Sequence, residues 1–199
     1  MKASRALSDA DPLMAELIER HAGASLSSRG DPFATLARSI VGQQISVKAA
    51  DAVWGRFVAQ IVVLTPDHLL RLGPAGLGGC GLSQRKIEYL GDLAAHFVDG
   101  RLDPAAWAGL DDESLIVELC KVRGIGRWTA EMFLIFNLMR PDVFPLDDVG
   151  LQRAVFDRYF AGQKQSRQAL AEFGERWRPW RSVATWHLWR SLDPVPVAY

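Results

Sequence analysis

The chain has 199 residues, of which 49% are hydrophobic, enough for one domain with a proper core or for two small lobes. Lys plus Arg and Asp plus Glu stand at 23 each, so the zero net charge offers no bulk attraction for a polyanion, and any positive potential has to be local. Two cysteines are too few for an iron–sulfur cluster or a cysteine zinc site, and no unbroken apolar run approaches the length needed to cross a bilayer.

From the first residues onward the pattern is helical. The opening "MKASRALSDADPLMAELIER" has no apolar signal segment and reads as a polar lead into an amphipathic helix, so a cytoplasmic location without a membrane partner is expected. Apolar residues recur at steps of three and four rather than alternating, and no β-branched runs flank Asn-Gly turns. The chain is therefore expected to be all-α, with helices over 12–21, 32–41, 47–62, 66–72, 84–98, 113–121, 127–139, 149–159, 165–177 and 179–191. Asp11, Asp31, Ser46, Thr65 and Ser83 stand where N-caps belong, three of them directly before a proline. Both cysteines read as reduced thiols filling small spaces, and most of the seven tryptophans as core.

One stretch carries more than fold information: "VRGIGRWTAEMFLIFNLMRPDVFPLDD", residues 122–148. Gly124 and Gly126 around one apolar residue permit a tight reversal, with the second glycine letting another backbone come close. A helix then opens at Arg127, so the amides of Gly126, Arg127 and Trp128 stand at a helix amino terminus, where an anion is favoured without help from net charge. An ordinary helical corner with a glycine cap would look similar. At the far end, an N-cap accounts for one of Asp147 and Asp148 but not for both.

The helix, Gly-Ile-Gly, helix context of "LCKVRGIGRWTA" resembles the helix-hairpin-helix motif of DNA repair proteins. Extended through "FPLDD", it resembles the base-excision DNA glycosylase superfamily, and within it the alkylpurine enzymes of the DNA-3-methyladenine glycosylase II type. That resemblance implies that Asp148 is the catalytic carboxylate and that Asp147 caps a helix or edges the base pocket. A carboxylate beside the sugar would stabilise an oxocarbenium-like transition state or orient a water. Bifunctional relatives such as endonuclease III have a lysine just after the hairpin. Here the position is Trp128, which has no amine for a Schiff base, so a monofunctional enzyme is implied.

The same resemblance distributes the remaining roles. Trp128 and Trp189, the latter in "RWRPWRSVATWHLWRSL", would line the pocket for a flipped base, where an indole face also attracts a cationic alkylated purine. "VGQQIS" resembles the family's intercalating loop, with Gln43 and Gln44 as DNA contacts and Gln44 as the wedge. Ser83, Arg85 and Lys86 open a helix where basic side chains oppose the dipole, which a phosphate would rationalise, although solvated charge explains them equally well. Arg123, Gly124, Gly126, Arg127 and Thr129 complete the expected DNA contacts. No cofactor is required, but a Na or K ion bound by the main-chain carbonyls of Cys120, Val122 and Ile125 is implied by resemblance alone. His187, beside the pocket candidate, reads as structural.

The implied architecture is a two-lobed helix-hairpin-helix DNA glycosylase fold, with the active cleft between lobes. Residues 31–146 would form the central lobe around a hairpin at about 113–139, and residues 1–30 with 147–199 the other. No segment reads as the extra amino-terminal β domain of the larger bacterial relatives, which suggests a more open site. The implied activity is release of 3-methyladenine and 7-methylguanine, extended by an open site to etheno adducts, hypoxanthine or N1- and N3-methylated bases, from double-stranded DNA by a monomer. A mismatch or uracil glycosylase of the same superfamily, and a noncatalytic helix-hairpin-helix DNA-binding module, are the competing readings.

Overall fold

The computed structural model describes residues 2–192. Its elements are α1 (Lys2–Ala10), α2 (Pro12–Arg20), α3 (Pro32–Gly42), α4 (Val47–Ile61), α5 (Pro66–Gly76), α6 (Gln84–Val98), α7 (Asp112–Leu119), α8 (Arg127–Phe136), α9 (Val149–Tyr159), α10 (Arg167–Gly174) and α11 (Arg181–Leu192). Two 3-10 turns, Trp107–Gly109 and Glu175–Trp177, complete the set, and there is no strand among the described residues. All five expected N-caps form: Asp11, Asp31, Ser46, Thr65 and Ser83 each accept an amide of the following first turn. α1 was not anticipated; it is short and largely polar, and is held through Leu7, which is buried with Met14 and Leu17. α5 runs beyond its expected end across a kink, where Gly73 leaves helical geometry ahead of Pro74.

The chain forms two compact units. One is residues 29–133; the other joins the described residues up to Ser28 to those from Leu134 onward. The boundary falls inside α8, whereas the sequence reading began the second segment at residue 147 and carried it to 199, the part beyond Leu192 lying outside the described residues.

The first unit packs Leu36, Ile40, Phe57, Leu90, Leu93, Leu115 and Leu119 at full burial. An edge-to-face chain of Phe33, Phe97, Trp107 and Phe133 runs through it, with centroids 5.4 to 6.2 Å apart, the arrangement that aromatic quadrupoles prefer. The second unit gathers Leu7, Met14, Leu17, Leu151, Val155, Leu170 and Leu188 around Trp177. Asp11 ties that core together: besides capping α2, its Oδ2 accepts Tyr159 Oη at 2.8 Å and Trp177 Nε1 at 3.1 Å. Only Trp107, Trp177 and Trp186 of the seven tryptophans are buried, fewer than composition suggested, and Cys120 is exposed while Cys80 is buried.

Candidate active site

α9 begins where the chain leaves "FPLDD", and its N-cap is Asp148: the carboxylate Oδ1 accepts the Leu151 amide at 2.6 Å. The same oxygen accepts the indole Nε1 of Trp189, from α11, at 2.7 Å. Asp148 is 7% exposed, so this carboxylate is held by directed hydrogen bonds rather than by solvent. Gly150 leaves room for the pair, since a Cβ there would lie 3.2 Å from Asp148 Oδ1 and 3.3 Å from Trp189 Cδ1. The half-buried Trp189 ring stacks on Phe136 with centroids 5.7 Å apart and planes within 18°.

The roles expected for the two aspartates therefore change. Asp148 does the capping itself, and Asp147 points to the surface, paired with Arg167 at 3.0 Å with its side chain 57% exposed. Alternation at a cap turns adjacent side chains to different sides, so two neighbouring carboxylates need not share a task.

Sequence reasoning missed what aims this loop. Ser182, fully buried at the start of α11, accepts the Val143 amide at 2.9 Å and donates to the Arg140 carbonyl at 2.6 Å, while its own amide reaches the Pro141 carbonyl at 3.0 Å. Arg181 adds a fork on Asp142, Nε to Oδ1 at 2.8 Å and Nη2 to Oδ2 at 3.0 Å. The loop that ends at Asp148 is thus sewn to the helix that carries Trp189. No local signal announces this, because the partners are 39 to 42 residues apart. Phe136 was missed for the same reason.

In the other unit the hairpin follows α7. Gly124 adopts φ +88°, and a Cβ on it would fall into the Tyr89 ring, 2.6 Å from Cγ. Gly126 has neither constraint: a Cβ there would meet nothing within 4 Å. The close approach is thus at the first glycine, not the second, and against an aromatic ring rather than a backbone. The Gly126 carbonyl accepts the Ala130 amide at 3.0 Å and opens α8, with Gly126, Arg127 and Trp128 all exposed at its amino-terminal end.

Several expected DNA contacts turn inward. Arg127 is held by Glu113 through two bonds of 2.7 Å and by Glu131 at 3.0 Å, and these acids raise its pKa further, so its side chain is committed within the protein. Thr129 is buried at 7% exposure. Gln43 donates Nε2 to the Gly124 carbonyl at 2.7 Å, and Lys86 donates Nζ to the carbonyls of Val41 and Gln43 at 2.7 and 2.8 Å, desolvation lowering its pKa. Ser83 caps α6, while Arg85 is solvent-exposed. Arg123 is exposed, its guanidinium 3.3 Å from Glu88 and its amide donating to Asp92 Oδ2 at 2.8 Å. Gln44 is exposed with φ +58°, followed by exposed Ile45 and Val47, two apolar side chains the sequence reading passed over. The Val122 carbonyl accepts the Ile125 amide at 3.1 Å, which uses one of its two lone pairs.

A hairpin opening a helix, and a buried aspartate capping another beside an indole, are the parts expected of one repair family. The family model for the HhH-GPD superfamily of base excision DNA repair proteins matches residues 37–179. The chain belongs to this superfamily. Among its relatives, DNA-3-methyladenine glycosylase 1 of Schizosaccharomyces pombe is 32% identical over 165 residues, 81% of this chain and 72% of that one. A crystal structure of DNA-3-methyladenine glycosidase from Bacillus halodurans aligns with TM-score 0.85 and 37% identity, over 94% of this chain and 87% of that one. A Schizosaccharomyces pombe 3-methyladenine DNA glycosylase in complex with abasic DNA aligns with TM-score 0.80 and 29% identity, over 99% and 100%. The chain spans 66%, 72% and 65% of the lengths of three curated relatives. The resemblance read from "VRGIGRWTA" and "FPLDD", and the all-α HhH-GPD fold it implied, are thereby borne out.

Proposed function

We propose that this HhH-GPD protein is a monofunctional DNA glycosylase that releases alkylated bases from double-stranded DNA and leaves an abasic site. The observation that carries this is the Asp148–Trp189 pair: a buried carboxylate whose Oδ1 takes two hydrogen bonds, next to an indole that is itself backed by Phe136. Relatives named as 3-methyladenine glycosylases support the substrate class.

The damaged nucleotide leaves the stack and its base is received on an aromatic wall, the Trp189 indole backed by Phe136. An N3- or N7-alkylated purine carries positive charge, which an indole face attracts by about 0.5 to 2 kcal/mol. As the N-glycosidic bond breaks, its electron pair goes to the base, which departs neutral. No general acid is then needed. The sugar becomes cationic, the Asp148 carboxylate stabilises it, and a water adds to the anomeric carbon and gives up its proton to solvent. Trp128, in the place of the lyases' lysine, has no amine to attack the sugar, so no Schiff base forms and the strand stays intact.

The backbone amides at the start of α8 suit a DNA phosphate, which is compatible with the zero net charge. Main-chain oxygens are the hard donors that a Na or K ion prefers, and the carbonyls of Cys120, Val122 and Ile125 would hold one and add positive charge beside that phosphate. We assign the chain to the cytoplasm as a monomer; no helix among the described residues is long and apolar enough to cross a membrane.

The test is a base-release assay on duplexes bearing 3-methyladenine, 7-methylguanine, ethenoadenine, hypoxanthine or uracil, with and without alkali. Release of alkylated bases with strand breaks only after alkali is expected. Breaks without alkali refute monofunctional action, and no release from any lesion moves the assignment to a DNA-binding module.

A further inference from the structure

The loop joining α3 to α4, residues 43–46, presents Gln44 and Ile45 to solvent, with Gln44 in the left-handed region that a side chain adopts only when its surroundings hold it there. Three contacts supply that hold. Lys86 Nζ binds the carbonyls on both sides of Gly42, those of Val41 and Gln43, at the carboxy-terminal end of α3, where a cation is also favoured by the helix dipole. The Gln43 side chain then crosses to the hairpin and donates to the Gly124 carbonyl at 2.7 Å. The hairpin is gripped by the same helix that supplies Lys86. Tyr89 fills the space that Gly124 leaves open, and Asp92 Oδ2 accepts the Arg123 amide at 2.8 Å. Lys86, Tyr89 and Asp92 recur every third residue, so one face of α6 meets both loops.

We infer that Lys86 and Gln43 are positioning residues that lock the exposed Gln44–Ile45 tip to the helix-hairpin-helix at a fixed spacing. Phosphate capture by the hairpin and insertion of the tip into the base stack then become one pre-organised event. This rests on the DNA-repair reading above for what the two loops touch. Neither side chain needs to contact DNA: Lys86 is partly buried and two of its three ammonium donors bond carbonyls of the protein. Without the lock, the tip would have to be ordered during binding, and that ordering cost weakens affinity and insertion together.

The experiment uses the full chain and a duplex holding a tetrahydrofuran abasic analogue opposite 2-aminopurine, whose fluorescence rises when the stack is opened. For Lys86→Met and Gln43→Ala, with Tm close to wild type, we expect Kd to weaken about tenfold and most of the fluorescence rise to be lost. Lys86→Arg, which keeps a cationic donor, should recover part of both. Base release should fall about tenfold more for a paired lesion than for the same lesion in an unpaired bulge, a split that general destabilisation would not produce. If Lys86→Met does not fold, Gln43→Ala alone decides, because its side chain only bridges the two loops. Variants with native Tm that bind and open the stack as wild type does overturn the lock. Wild type that binds and opens the stack but releases no base leaves the lock standing and refutes the glycosylase reading instead.

Discussion

Trp189 Nε1 donates to Asp148 Oδ1 at 2.7 Å, on the same oxygen that caps α9 through the Leu151 amide at 2.6 Å. One atom thus serves helix capping and the proposed chemistry, and the two can be separated by substitution.

Asp148→Asn keeps an oxygen for both donors, and asparagine is as good an N-cap as aspartate. Only the negative charge is lost. We expect Tm within a few degrees of wild type, affinity for abasic-analogue DNA within a few-fold, and single-turnover base release down by about 10²- to 10³-fold or more. Asp148→Ala should additionally lose about 0.5 to 2 kcal/mol of stability with the cap, read by urea denaturation. Unimpaired base release by the asparagine variant would remove Asp148 from the chemistry.

Trp189→Phe retains a ring to stack on Phe136 but deletes the N–H that orients Asp148. A hydrogen bond to a charged group is worth about 1.5 to 3 kcal/mol, so base release should slow by about ten- to a hundredfold in single-turnover kinetics. Equal rates would mean that the indole N–H does not tune the carboxylate.

The two hairpin glycines should respond differently. Gly124→Ala forces a Cβ into Tyr89 at φ +88°, a left-handed strain and an overpacking that together cost about 2 to 4 kcal/mol. Its chemical denaturation midpoint should drop clearly. Gly126→Ala meets open space, so stability should hold while DNA affinity falls if a phosphate sits against that backbone. Filter binding and denaturation on both variants separate the two cases.

Stability should also depend on pH through His187. It is 3% exposed on α11, its Nδ1 lies 3.5 Å from that of His21, and burial, His21 and Arg190 lower its pKa to about 4. A histidine depressed in the folded state binds its proton more readily when unfolded, from a starting value near 6.5. Its stabilising contribution is therefore complete above about pH 6.5 and is lost as pH falls toward 4. Between pH 7 and pH 5 this single group accounts for about 2 kcal/mol. His187→Gln, which cannot titrate, should flatten the pH dependence of Tm over that window; an unchanged slope would show that other groups dominate it.

Much of the fold is legible because its signals are local. An Asp, Ser or Thr ahead of an apolar repeat caps a helix by bonding to amides two or three residues on, and all five such sites behave accordingly. The hairpin and the aspartate at position 148 drew attention for a related reason: their residue types at that spacing resemble one repair superfamily, whose model matches residues 37–179. α1 escaped because nine residues with one buried leucine have no helical stability of their own.

The side chains whose direction depends on a distant partner were not legible. Asp147 and Asp148 are chemically identical, and only the pairing with Arg167 on one side and with Trp189 on the other distinguishes them. Arg127, Lys86 and Gln43 have the composition of a DNA-binding surface, yet each satisfies an acid or a carbonyl of the protein instead. The sequence by itself determined the all-α character, the caps and the hairpin, because these follow from neighbours along the chain, while the choice of Asp148 over Asp147 came from the family resemblance. Tertiary structure alone decided which carboxylate is buried and which basic side chains hold the loops, because a charge or an amide goes to whatever partner folding brings within about 3 Å.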